Sequence, residues 1–153
     1  MTSDAQVEVG IARVYVKDFS FESPKAPQVF QEQMQPELRI EVNVSPKNLN
    51  GNFYEVVLNL LIEATSGSEV VFIVEIEQAG IFEIKNASNQ QLDHILTVFA
   101  PSTLFPYART VIDHAMLQGS LPPLTLAPIN FEAMRLQRAT KTEAGQRDTS
   151  ILS

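Results

Sequence analysis

Glu75 and Glu77 come first among residues that could do chemistry, because two neighbouring carboxylates are the minimum for general acid–base work. Residues two apart on a strand share a face, with Cα atoms about 6–7 Å apart, and that separation could serve a glycosidase carboxylate pair. Such sites also need a deep cleft and sugar-stacking aromatics, and this chain has no tryptophan. A solvated strand face is therefore the expectation. The two histidines, His94 and His114, each follow an aspartate, Asp93 and Asp113. Both pairs fall in helical segments, where adjacent residues do not face each other, so neither forms a local Asp–His dyad. Two histidines without a carboxylate cluster make a poor metal site, even where they meet in space. No GxSxG, phosphate-binding loop, GxGxxG or HExxH pattern occurs. The absence of cysteine excludes thiol catalysis, disulfides and Cys-based zinc sites. The chain reads as a protein that is not an enzyme, with no cofactor and no metal.

Charge says more about partners. The 153 residues suit one domain and carry a net charge of −7. Up to position 133 there are 16 acidic residues against 7 basic ones, and beyond it 4 basic against 2 acidic. An acidic body disfavours nucleic acid and anionic membrane surfaces, both of which need neutralising Lys and Arg. It favours a basic protein partner, although solubility alone also accounts for such a charge. There is no run of 18 apolar residues and no basic-then-apolar leader at the start. No membrane insertion and no signal peptide are expected, with the cytoplasm as the compartment.

Four segments alternate with period two, the mark of half-buried strands. They span about Val7–Phe21, Glu37–Val44, Phe53–Ala64 and Val70–Ala79. The first puts Val7, Val9, Ile11, Tyr15, Phe19 and Phe21 on one face, together with Arg13 and Lys17. Short Gly-containing connections, Asn48–Asn52 and Ser66–Ser68, predict an antiparallel meander of strands two to four. The long Pro-containing stretch after strand one predicts a crossover between strands that are not neighbours. The period then changes. Ser88 caps a helix to Phe99, Pro101 stops it, and a second helix runs from about Ser102 to Gln118 with Gly119 as its C′ residue. Asn130 caps a short third helix, Phe131–Ala139. The predicted fold is α+β, a four-stranded antiparallel sheet with two main helices and a short C-terminal one. Residues 1–139 form the domain, with about nine mobile residues at its start, and 140–153 form a disordered tail. Between the helices lies a segment both proline-rich and apolar, SLPPLTLAPIN. A solvated linker lacks such apolar area, so this segment reads as a rigid apolar loop held against the body or a partner.

What remains is surface. On strand four Ile73 shares a face with Val71, Glu75 and Glu77; on strand one Asp18 and Glu22 share a face with Ser20 and Val16. If the two strands are neighbours, four carboxylates surround an exposed aliphatic, a surface suited to a basic peptide.

Several blocks, YVKDFSFESPKAPQVFQ (Tyr15–Gln31), EIEQAGIF (Glu75–Phe82), LFPYAR (Leu104–Arg109) and LPPLTLAPINF (Leu121–Phe131), occur in the order seen in one family. In these the chain resembles SecB, the bacterial protein-export chaperone, from about Ile11 to Met134. The resemblance implies a homotetramer built as a dimer of dimers. It also implies ATP-independent holding of unfolded preproteins in the cytoplasm and their delivery to the SecA motor. By matching positions, it places SecA docking at Asp18, Glu22, Ile73 and Glu75, with Ile73 where a leucine is familiar. It ties Phe72, Val74, Ile76 and Gln78 to oligomer assembly, and Leu104, Tyr107 and Val111 on the second helix to the contact between dimers. Client binding would use an apolar groove involving Phe30, Met34, Leu38, Ile40, Val42, Leu124, Leu126 and Met134. The chain departs from the family in a neutral tail from Thr140 and a last helix made basic by Arg135 and Arg138. Two other readings stay open here: a SecB-like holdase serving a toxin–antitoxin system, and a carrier of a small apolar ligand.

Overall fold

The computed structural model describes residues 5–138. The expected tail, 140–153, and the end of the third helix at Ala139 lie outside the described residues. Four strands, β1 (Glu8–Glu22), β2 (Glu37–Asn50), β3 (Phe53–Ser66) and β4 (Glu69–Lys85), form one antiparallel sheet in the order β1-β4-β3-β2. The meander and the crossover are both present, since the chain leaves β1 at one edge and re-enters at β2 on the other. β1 already begins at Glu8, inside the stretch expected to be mobile. β2 runs on through Pro46, which an edge strand tolerates because its missing N–H leaves no partner wanting.

β1 departs most from simple alternation. Its register against β4 slips between Ile11 and Arg13 and again between Val16 and Asp18, leaving Ala12 and Lys17 unpaired. Each bulge reverses the facing of the residues beyond it. Between the two bulges Val14 and Val16 stand opposite Gly80 and Gln78, while Tyr15 stands opposite Ala79. Tyr15, expected on the same face as Ile11 and Phe19, therefore lies on the other one, and Val16 does not share the face of Asp18. The second bulge cancels the first, and Phe19 and Phe21 return to the inner face opposite Ile76 and Val74.

The helical part also differs from expectation. α1 (Asn89–His94), a π-helical turn (Ile95–Phe99) and α2 (Ala100–Gln118) run without a break as one helix of 30 residues. Ser88 caps it as expected, accepting from the Gln91 N–H while the Gln91 side chain accepts from the Ser88 N–H. Pro101 does not stop the helix. The Ala100 N–H donates to Ile95 O across the π turn, and Pro101 falls in the first turn of α2. The widened turn makes room for a ring that an α-helical ladder would exclude. By length and a mean hydropathy of 1.2 this helix could cross a membrane. Here one side of it packs on the sheet, with Leu104, Ala108 and Ile112 fully buried.

The core lies between this helix and the inner sheet face, built from Val56, Leu58, Leu60, Ile62, Val74, Ile76 and Phe82. Burying each large aliphatic or aromatic side chain contributes about 1.5–3 kcal/mol, so these contacts fix the helix more firmly than its own propensity does. Gly80 sets how closely it approaches: a Cβ there would lie 3.0 Å from Leu104 Cδ2 and 2.9 Å from the Phe82 ring. Residues 131–138 form the third helix, α3, capped by Asn130 Oδ1, which accepts from the Ala133 N–H. Phe131 anchors it in the core.

Candidate binding surfaces

The inner face of the sheet is covered only in part. Beside β2 it opens into a cavity of about 400 Å³, walled on one side by Val29, Phe30, Met34 and Leu38 and on the other by Leu121, Pro122, Pro123 and Leu124, with Phe72 and Met116 beneath. A second cavity, of about 140 Å³, lies against Ile40, Leu60, Ile62, Phe105, Leu126 and Ile129. Leu38 and Ile40 stand two residues apart on the same face of β2, opposite Ala64 and Ile62. The two cavities thus follow one another along the same face of β2, and together they are called the groove. Its outer wall is the segment after α2, which has no regular secondary structure from Leu121 to Asn130.

Of the residues expected in a groove, Phe30, Met34, Leu38 and Leu124 line the first cavity and Ile40 and Leu126 the second. Val42 and Met134 line neither and pack against the core. Phe30, Leu38 and Ile40 are exposed large apolar side chains, about half accessible at 53%, 46% and 46%. Val29, Met116, Phe105 and Ile129 join the lining without any sequence signal. Each sits in a run of apolar residues whose period gives no sign of facing a gap.

The opposite, outer face of the sheet carries the acidic surface. Asp18 is in register with Glu77, Ser20 with Glu75 and Glu22 with Ile73. On the other side of β4, Leu61 pairs with Glu75 and Glu63 with Ile73. The structure therefore brings Asp18, Glu22, Ile73 and Glu75 together, since adjacent strands lie about 4.7–4.9 Å apart. Asp18, Glu22 and Glu75 are exposed and Ile73 is half-buried among them. Asn59 Nδ2 donates to Glu75 Oε1 at 3.3 Å, and Arg39 crosses from β2 to pair with Glu63 at 2.9 Å and with Glu41. Further along the same face the Tyr15 hydroxyl and Lys17 Nζ both donate to the Glu55 carboxylate, the lysine at 3.0 Å. The hydrogen bond from Tyr15, then that from Lys17, hold this carboxyl below its ordinary value.

The residues tied to assembly divide. Phe72, Val74, Ile76, Gln78 and Leu104 are buried within the chain. Tyr107 is exposed and Val111 half-buried on α2. Both border a hollow of about 480 Å³ between α2 and β1, with Val14, Val16 and the end of Gln78.

Among the described residues the two histidines form no catalytic pair. His94 and His114 sit on one continuous helix, about 30 Å apart by its rise, and cannot meet. His94 Nε2 instead contacts Glu132 Oε2 of α3 at 2.8 Å. Among the described residues no group of three or more His, Cys, Asp or Glu could hold a metal ion.

Residues 2–142 match the family described as preprotein translocase subunit SecB. The chain is 45% identical over 143 residues to the protein-export protein SecB of Pseudomonas savastanoi pv. phaseolicola, covering 93% of this chain and 88% of that one. It is 44% identical over 143 residues to the same-named protein of Legionella pneumophila strain Paris, covering 92% and 88%. Among solved structures, the SecB-like chaperone of Mycobacterium tuberculosis, in complex with a peptide from the HigA1 antitoxin, matches with a TM-score of 0.62. It is 18% identical and covers 79% of this chain and 90% of that one. At that identity the likeness is one of fold.

Proposed function

The chain belongs to the SecB family of protein-export chaperones, and from that premise we propose that it holds unfolded preproteins in the β2 groove while SecA docks on the acidic face. One observation carries the reading: the groove and the acidic face lie on opposite sides of the same sheet. Leu38 and Ile40 point to one side, and Glu75 and Ile73 to the other. Cargo and motor can then be bound at once without competing for surface.

Each surface suits its proposed ligand. An apolar groove binds any extended apolar segment at about 25 cal/mol per Å² buried, without demanding a sequence and without nucleotide. The carboxylates around Ile73 would steer a basic segment of SecA over about a Debye length, near 10 Å at 0.1 M salt, with Ile73 as the apolar anchor. Assembly into a homotetramer would use the hollow between β1 and α2 at Tyr107 and Val111. Several grooves per particle would then raise avidity for a long client with no new contact. The cytoplasm, where preproteins are made, is the proposed compartment. The 45% identity to export proteins favours export over a toxin–antitoxin role.

Titration calorimetry with purified SecA tests the docking face. The native protein should bind, more weakly as salt rises, and Glu75→Lys should lose binding by at least about tenfold while still holding client. Unchanged affinity in Glu75→Lys would remove the acidic face from the account.

A further inference from the structure

The groove's outer wall is attached in an unusual way. Among the described residues, no backbone–backbone hydrogen bond ties positions 122–129 to the sheet or to the long helix. The wall is secured at its ends. At the start, the Leu121 N–H donates to Met116 O and the Ser120 N–H to Leu117 O, closing α2. At the far end, α3 carries a compact polar cluster with α1: the ion pairs Arg135 Nη1 to Asp93 Oδ2 at 3.4 Å and Arg135 Nη2 to Glu132 Oε1 at 2.9 Å, and the contact of His94 Nε2 with Glu132 Oε2 at 2.8 Å. Arg135 above all, and then His94, hold the Glu132 carboxyl below its ordinary value, against the opposing effect of its desolvation.

We propose that Asp93, His94, Glu132 and Arg135 form an ionic tether that fixes α3 to α1, so that the 122–129 wall lifts off the groove as a strap pinned at both ends. The proposal rests on the reading that the groove takes apolar segments, and adds how it opens. Between its ends the strap is held by Leu124, Leu126 and Ile129 resting on the apolar floor. Those contacts are of the kind an incoming apolar segment replaces, so displacement of the strap costs no backbone hydrogen bond. The tether is of a different kind and an apolar client cannot substitute for it. Its partners are 34–58% accessible, so each pair is weak, worth no more than about fivefold in an equilibrium. That strength is too small to hold the fold. It is enough to bias whether α3 stays down when the strap rises.

Hydrogen exchange on the full chain reads this directly. In the native protein, amides of the strap should exchange fast and those of α3 more slowly. The double variant Asp93→Asn/His94→Ala removes both interhelix pairs while leaving the Glu132–Arg135 pair within α3. It should speed exchange in α3 by about two- to fivefold with no change in the sheet, and 0.5 M NaCl should do the same to the native protein. Arg135→Gln should have at least as large an effect and should raise the fluorescence of added 1-anilinonaphthalene-8-sulfonate. Unchanged α3 exchange in Asp93→Asn/His94→Ala overturns the tether, even if Arg135→Gln exchanges faster, because the effect would then belong to α3 alone. Failure of an unfolded client to slow exchange in β2 around Leu38 and Ile40 of the native protein would instead overturn the groove reading and leave the tether standing.

Discussion

The ring of Phe21 on β1 closes over Gly119 at the end of α2 so tightly that a Cβ on Gly119 would lie 2.7 Å from Phe21 Cζ. Gly119 is therefore present for close approach and not for a left-handed turn; its φ is an ordinary −83°. The left-handed residue is the next one, Ser120, with φ of 55°. The bonds from the Ser120 and Leu121 N–H groups complete a Schellman ending around it. Gly119→Ala should destabilise the protein by about 1–3 kcal/mol through overpacking. Ser120→Gly should stabilise it by up to about 1 kcal/mol by relieving the left-handed backbone. Denaturant midpoints check both, and a neutral Gly119→Ala would show that Phe21 can swing aside.

Tyr15 and Glu55 give the sheet a defined pH response at each extreme. Burial first, then the hydrogen bond and negative charge of Glu55, push the Tyr15 phenol up to about 12. An unfolded chain ionises near pH 10, so the folded state keeps a proton that the unfolded state gives up. The linked stability is fully present below about pH 10 and is lost as pH rises toward about 12. Glu55 works in the opposite sense. Its carboxyl is lowered from 4.5, so its contribution is present above that value and is lost as pH falls through the folded pKa. Carbon-13 NMR of labelled tyrosine should give a Tyr15 midpoint near 12. Glu55→Gln should lower it without restoring the ordinary value, because burial, the larger cause, remains. A native midpoint at about 10 would contradict the contact.

The groove makes a prediction that separates binding from folding. Leu38 and Ile40 are about half exposed, at 46% each, so a charge there should leave the chain's own stability nearly unchanged. For a client whose apolar side chains contact both, each lost contact is of the order of 1.5–3 kcal/mol. Leu38→Glu and Ile40→Glu should therefore weaken binding of an unfolded preprotein by about tenfold or more, with thermal midpoints within a few degrees of native. Equal binding by native protein and double variant, measured by fluorescence anisotropy of a labelled client, would move the client elsewhere.

How far the sequence discloses all this depends on which physical effect decides each feature. Alternating patterns place β2, β3 and β4 well because one face of each is buried and the other wet. The acidic face is legible for a less secure reason. Parity along β1 predicts that Asp18 and Glu22 share a face with Ile73 and Glu75, and this holds only because the bulge at Lys17 undoes the one at Ala12. The residues between the bulges, Tyr15 and Val16, land on the faces opposite to those expected. Pro101 misleads in the same manner, since a local rule stops the helix there while packing of Leu104 and Ile112 carries it through by way of a π turn. Leu38, Leu124 and Leu126 are found in the groove, but nothing local distinguishes them from Val42 or Met134, which are packed. Whether an apolar residue faces a gap or a neighbour is decided by elements far apart in the chain.

Suppression of refolding reads client holding itself. An unfolded preprotein diluted from denaturant into buffer without nucleotide should refold several-fold more slowly with an equimolar amount of this protein, and Leu38→Glu/Ile40→Glu should restore most of the free rate. If the native protein leaves the refolding rate unchanged at micromolar concentration, the groove is not a client site.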